Sequence, residues 1–366
     1  MAVRIRPAVG FLLFFVAVAA WLTPAPQAQT RASDARSTSS GQAPSTSSGQ
    51  AKASAKWVVP RTADGHPDFH GVWANNTVTP LQRPKQWEGK KTLTDAEIAE
   101  LQRFAAQITE NDGDAQFGDG FITAVLNRVA KPGSYDPSTG NYNQFWLVER
   151  DWHDRRTSLI IDPPNGQIPP RTPEAEKRRA AEIEHRKTHA FEDPEVFPLG
   201  ERCVNFTHPR LQAGYNSYFQ IVQAPGHVMV MAEMAHDARI IPTDGRPRLP
   251  SNIRPWNGDS RGRWEGDTLV VETTNFSPKS DFMGAHENLQ LTERFTRTGP
   301  DVLEYQLTVN DPTTWTAPWT AMIPLKLKNE LIYEYACHEG NSAIPNMLRG
   351  HRYEERQAGT KSQQKQ

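Results

Sequence analysis

The sequence predicts a mainly β protein: an antiparallel β-meander closing into a barrel or a strongly curved sheet, with a loop- and helix-rich N-terminal part packed around it. Three observations predict this. From about residue 215, apolar and polar residues alternate with period two, as in strands that bury one face. Turn pairs punctuate the runs: Pro225-Gly226, Asp244-Gly245, Gly266-Asp267, Gly299-Pro300 and Lys328-Asn329. Connections this tight join antiparallel neighbours, and a long meander commonly closes to remove its edges.

The strands follow in order. "SYFQIVQAPGHVMVMAEM" carries two, and "ARIIPTDGRP" is a short one closed by Asp244-Gly245. "GRWEGDTLVVETTNF" holds a pair, with Leu269, Val271 and Thr273 alternating against Val270 and Glu272. "NLQLTERFTRTGPDVLEYQLTVND" is a hairpin in which Leu291, Glu293, Phe295 and Arg297 share a face. "WTAPWTAMIPLKLKNELIYEYAC" reads as two further strands around Lys328-Asn329. The meander is expected over residues 201–356, followed by a disordered tail at 357–366.

Residues 56–200 form the other part of the same predicted domain. Asp64-Gly65 and Pro67 turn into a short strand at Val72-Trp73. "TLTDAEIAELQRFAAQI" is the clearest helix: Thr94 and Glu97 make a capping box, and Ile98, Leu101, Ala105 and Ile108 keep to one face. "DRRTSLIIDPPNGQIPP" is a short strand and a turn. "TPEAEKRRAAEIEHRKTHA" is a helix capped by Thr172 with Pro173 at its first position, and its weak apolar stripe places it on the surface.

The chain opens like an exported protein. Arg4 and Arg6 precede the apolar run "AVGFLLFFVAVAAWL", and small residues lead to a cleavage point after Ala28, so residues 1–28 read as a signal peptide. The run is short for a membrane span, which needs about 20 residues, and no membrane insertion is expected after cleavage. Residues 29–55 repeat "STSSGQ" and bury almost nothing, which makes them a flexible linker. Cleavage removes two of the 41 basic residues and none of the 42 acidic ones, leaving a net charge near −3. That balance gives no footprint for nucleic acid or an anionic membrane. The localisation expected is periplasmic or secreted.

The motifs "TSLIIDPPNGQIPP", "ERCVNFTHP", "WEGDTLVVETTNF", "DPTTWTAPWTAMIP" and "YEYACHEGN", with others between residues 56 and 356, resemble a family of exported bacterial proteins of unassigned function. The resemblance implies a shared fold and no activity. Separately, "GVW" at the start of a β-meander is similar to the lipocalin opening motif, which implies a calycin-like barrel.

Chemistry-bearing residues fall into four groups. Cys203 and Cys337 are the only cysteines, and in an oxidising compartment an even count favours a bridge. Closing a loop of about 130 residues is worth about 5 kcal/mol in chain-entropy models. If "EYACHEGN" continues a strand, Tyr333, Tyr335 and Cys337 face one way and Glu334, Ala336 and His338 the other, so His338 cannot serve the sulfur as a base. His338 and Glu339 then either line a cavity or close a turn at Gly340-Asn341.

The second group, "EMAHDAR", crowds Glu233, His236, Asp237 and Arg239 into seven residues. His236 could be a general base oriented by Asp237, or Asp237 and Arg239 could form a local ion pair in a connection. Metal ligation would need Glu233 and His236 to meet His338, and no HExxH or paired Cys/His spacing exists, so no metal is expected. In the third group Glu293 sits in an apolar stripe and must find a partner or protonate. Arg297, on its face, is the local candidate. The fourth is aromatic: Trp256, Trp264, Trp315, Trp319, Tyr215, Tyr218, Tyr333 and Tyr335, residue types suited to core packing or to flat ligands.

No nucleophile elbow, P-loop or dinucleotide fingerprint is present, so no cofactor is expected. The sequence therefore reads as an exported barrel that binds a small, partly apolar ligand. Asp237, Arg239, Trp264, Tyr335, Glu339 and Asn341 are the expected ligand contacts. A hydrolase or lyase using Glu233, His236, Glu293 and His338 is the alternative, and a structural envelope protein the second alternative. No signal specifies an oligomeric state.

Overall fold

The computed structural model describes residues 57–110, 114–133, 147, 149–206, 209–211 and 213–363. The signal peptide and linker expected before residue 56 lie outside them. Residues 56–366 form one compact unit.

Ten strands make one antiparallel sheet. They are β1 (Gly71–Ala74), β2 (Ile160–Asp162), β3 (Tyr218–Ala224), β4 (His227–Ala232), β5 (Ala238–Pro242), β6 (Asp259–Glu265), β7 (Thr268–Thr274), β8 (Gln290–Arg297), β9 (Val302–Asn310) and β10 (Trp319–Lys328). The order across the sheet is β5-β4-β3-β1-β10-β9-β8-β7-β6, and β2 pairs with β10 off this path. Set on a circle, the main path follows chain order, as in an up-and-down barrel. β1 closes one junction by pairing with both β3 and β10. At the remaining seam β5 and β6 approach each other without sharing a ladder.

The predicted alternation fills this barrel. Leu291, Glu293 and Phe295 on β8, Leu303, Tyr305 and Leu307 on β9, and Ala321, Ile323 and Leu325 on β10 are all buried. Trp73 of β1 and Phe219 and Ile221 of β3 join the same cluster. Each large apolar side chain taken fully out of water adds roughly 1.5–3 kcal/mol. Val270, expected on the outward face, is also buried, and its register neighbours are Arg263 and Arg294. The aliphatic stems of flanking arginines suit such a site.

A smaller cluster lies between α1 (Asp95–Glu110) and α2 (Asp119–Leu126), built on Leu101, Ile108, Phe121 and Val125. The capping box forms as the spacing requires: Thr94 N–H donates to Glu97 at 2.9 Å and Glu97 N–H donates to Thr94 Oγ1 at 3.3 Å. α3 (Pro173–Thr188) starts at Thr172, whose Oγ1 accepts the Ala175 N–H at 3.1 Å. Only Ala175 is buried along its length, so it lies on the surface.

Two expectations fail at the C-terminal end. "ELIYEYAC" is not a strand: β10 stops at Lys328 and residues 331–336 belong to no ladder. The reason is topological. β10 already has β9 on one side and β1 on the other, so no edge remains for the next segment. The two-faced assignment of residues 333–338 falls with the strand. Second, α4 (Ala343–Gln363) covers most of the stretch expected to be a disordered tail. Ile344, Leu348 and His351 are its half-buried stripe, and the His351 ring lies 5.2 Å from that of Phe191. Cys203 and Cys337 form a disulfide across a separation of 134 residues, tying the irregular strap after β10 to the connection before β3.

Candidate functional site

Three places gather the chemistry. The first is the barrel bore. Glu293 is fully buried, and both its oxygens accept from Arg239 of β5, at 2.6 and 2.7 Å. Tyr305 donates its hydroxyl to Glu293 Oε1 at 2.8 Å. The partner expected within the hairpin, Arg297, is elsewhere: it donates to the Asp68 and Pro300 carbonyls, and its guanidinium lies 5.4 Å from the Trp73 ring. Arg239 in turn bonds Glu293 across the bore rather than Asp237 within the connection, because alternation on β5 turns it inward, and Asp237 adds only its nearby charge. Burial works against the Arg239 charge, but the Glu293 carboxylate outweighs it and holds the guanidinium above its ordinary pKa. Burial, reinforced by Glu293, pushes the Tyr305 hydroxyl well above its ordinary value. The cavity beside this triad is only about 20 Å³, walled by Phe219, Ile221, Val230, Phe295 and Leu325. That is room for about one water. Arg239 Nε, buried there, has no protein partner.

The second place is the connection from β4 to β5. Glu233 is 1% exposed, and its Oε1 accepts the Tyr333 N–H at 2.9 Å. His236 Nδ1 accepts the Tyr335 N–H at 2.8 Å. Ala235 and His236 both hold left-handed backbone (φ 61° and 51°), a conformation costing an L-residue about 1–2 kcal/mol, and this turn presents the imidazole to the strap. Arg210 lies in the same neighbourhood. Burial lowers its pKa, while Tyr335 and Glu233 act the other way, and its Nη1 has no partner. Glu233 and His236 thus fix the strap by replacing the ladder partners its backbone lacks.

The predicted catalytic four do not converge. Glu233 and His236 flank one turn, Glu293 is committed to Arg239 and Tyr305 in the bore, and His338 is exposed on the strap. His338 and Glu339 stand in a turn closed by the Asn341 N–H on the His338 carbonyl at 3.2 Å, with Gly340 at φ 69°. Asn341 contacts Cys203 Sγ, and its Oδ1 accepts the Ala343 N–H at 3.4 Å. The Tyr335 ring meets Phe206 edge-on at 5.5 Å. Trp264 stacks on His66 at 4.6 Å and packs against Phe69, lining neither the bore cavity nor the cleft described next. Of the expected ligand contacts, Tyr335 and Asn341 line one open cleft of about 540 Å³ beside the strap, with Phe206 and Cys337, while Asp237, Arg239, Trp264 and Glu339 lie outside it.

The third place was not visible in the motifs. A cleft of about 760 Å³ opens on the flank of the molecule between the C-terminal half of α3, the connection 193–206 and the loop 279–286. Phe197, Leu199 and Phe206 give it apolar wall. Lys279 Nζ bridges it to Glu195 at 2.8 and 2.9 Å. His286 Nδ1–H donates to the Ser280 carbonyl at 2.5 Å, and its Nε2 lies 3.7 Å from Glu182. Buried Asn205 donates to Asn257 at 2.8 Å, and Asn257 donates to Asp237 at 2.9 Å. Through that relay one predicted contact, Asp237, supports the cleft without lining it. The only sequence cue was a cluster of apolar residues in a Pro-rich stretch, "EDPEVFPLGE", that follows neither helical nor strand period.

No family model, no curated protein and no solved structure matches this chain. The functional reading therefore rests on geometry. Among the described residues no group of three or more His, Cys, Asp or Glu is placed to hold a metal ion. No described helix is long and apolar enough to cross a membrane.

Proposed function

We propose that this is an exported binding protein that holds a small, partly apolar ligand in the flank cleft, with the barrel as its rigid support. The observation that carries the reading is a contrast of volumes. The bore retains about 20 Å³, whereas the cleft offers about 760 Å³. Sites for small molecules run to roughly 300–1,000 Å³ and combine apolar wall with a few polar groups. The cleft fits that description, with Phe197, Leu199 and Phe206 beside Arg202, Lys279 and His286. Export is supported by the apolar N-terminal run and by the disulfide, a bond that persists in oxidising compartments.

The test is a fragment screen against the exported chain, followed by hydrogen exchange with any ligand found. Protection on binding is expected in residues 182–206 and 279–286. Protection confined to β8 and β9 would move the site into the bore and overturn the proposal.

A further inference from the structure

We infer that the ligand of the flank cleft is an organic anion, an apolar body carrying a carboxylate, sulfonate or similar oxyanion head, with Arg186 and Arg202 as its receptors. This rests on the cleft being the binding site and adds the charge of what it takes.

A count of charges would miss it. Four carboxylates line the cleft, Glu182, Asp193, Glu195 and Asp281, against the cations Arg186, Arg202 and Lys279. The partners decide. Glu195 is bridged by Lys279, and Glu182 faces His286. Asp193 accepts the Glu195 N–H at 2.6 Å, and Asp281 accepts the Gly284 N–H at 2.7 Å. Arg186 and Arg202 have no side-chain hydrogen bond or ion pair with any described residue. His185, next along α3, stacks on His189 at 4.4 Å and leaves its ring nitrogens without a protein partner. The cleft therefore presents acids that each already accept a hydrogen bond or face a basic side chain, and two guanidinium groups whose donors are unspent. Guanidinium groups present a planar fork that matches an oxyanion in two parallel hydrogen bonds. The wall of Phe197, Leu199 and Phe206 supplies the apolar half of the recognition.

The surroundings of the two arginines are consistent with that use. Arg186 extends from the last turn of α3, and Arg202 stands beside Cys203, whose disulfide to Cys337 fixes the wall it projects from. One receptor is thus set by a helix and the other by a covalent tie.

Two fluorescent probes of nearly the same shape test the inference: 8-anilinonaphthalene-1-sulfonate, and N-phenyl-1-naphthylamine, which lacks the sulfonate. The folded, disulfide-bonded chain should bind the sulfonate at least about tenfold more tightly than the neutral amine, the scale of one charge-assisted hydrogen bond. Arg186→Gln with Arg202→Gln should abolish that preference and leave the neutral probe unchanged. Arg186→Lys with Arg202→Lys should retain most of it, and thermal melts of all variants should match the parent. Equal affinity for both probes, with exchange protection still in the cleft, would overturn the anion while leaving the cleft standing. Preference for a cationic analogue of the same ring system would do the same. Protection elsewhere in the chain, or no binding by either probe, would overturn both.

Discussion

The bore and the flank cleft both contain charged groups beside apolar walls, and they use them in opposite ways. In the bore Arg239, Glu293 and Tyr305 are joined by three hydrogen bonds that leave only Arg239 Nε unmet, and the void beside them is about 20 Å³. In the cleft each acid has a donor or basic side chain beside it, two arginines have no such partner, and the volume is about 760 Å³. A buried ion loses hydration worth several kcal/mol and must recover it from a fixed partner. An ion at an open cleft keeps its water and can exchange it for a ligand. The lesson is that a charge in an apolar stripe marks a structural pair at least as readily as a catalytic one, and a fixed counter-charge with no room beside it separates the first from the second.

The largest effect should come from breaking the bore pair. Glu293→Ala leaves Arg239 charged, buried and unpartnered, and chemical denaturation should show a loss of about 3–5 kcal/mol. Replacing both partners, Arg239→Met with Glu293→Leu, should recover much of that loss, because no unpaired ion remains. If the double variant is as unstable as the single, the pair is not the cause. Tyr305→Phe removes one hydrogen bond to a charged group and should cost about 1.5–3 kcal/mol. Since the folded state raises the Tyr305 pKa, its contribution is whole below pH about 10, the unfolded value, and is lost as pH rises through the folded value. The Phe variant should therefore lose less stability than the parent between pH about 10 and 12.

The disulfide separates the two regions further. Cys203 lies in the connection 193–206, between the cleft residues Arg202 and Asn205, and Cys337 in the strap, and neither lines the bore cavity. Cys203→Ser with Cys337→Ser should cost about 2–5 kcal/mol, with the loop-closure value at the upper end. Exchange protection should fall at residues 200–206 and 331–341 while β8 and β9 keep theirs. Equal loss in β8 and β9 would mean that bore and cleft open as one cooperative unit, and the contrast between rigid support and adjustable site would fail.

How much of this was legible depended on range. The period-two runs placed eight strands between residues 218 and 328, because alternation is local and each turn pair adjoins its strands. Thr94-Glu97 and Thr172-Pro173 were legible for the same reason. The partner of Glu293 was not. Arg239 lies 54 residues away, and the closing of the barrel brings them together. The strap misled because "LIYEYAC" alternates as a strand does, while the edge it needed was taken by β1, more than 240 residues earlier in the chain. The cleft was missed because its walls come from a helix end, a Pro-rich connection and a loop, none of which carries a period.

The smallest predicted effect completes the contrast. Lys279 and Glu195 form an ion pair as short as the bore pair, 2.8 Å against 2.6 Å, but both side chains are 60% exposed. In water of high dielectric such a pair gains little over its hydrated ions, and holding two flexible chains together offsets part of that gain. Lys279→Met should change stability by less than about 1 kcal/mol, and the difference should shrink further at high salt. Any effect on probe binding should be correspondingly modest, because Lys279 is already engaged. A loss near that of Glu293→Ala would show that the cleft charges hold the fold as the bore charges do. The distinction between buried pairs that build the fold and exposed cleft charges that do not would then have to be abandoned.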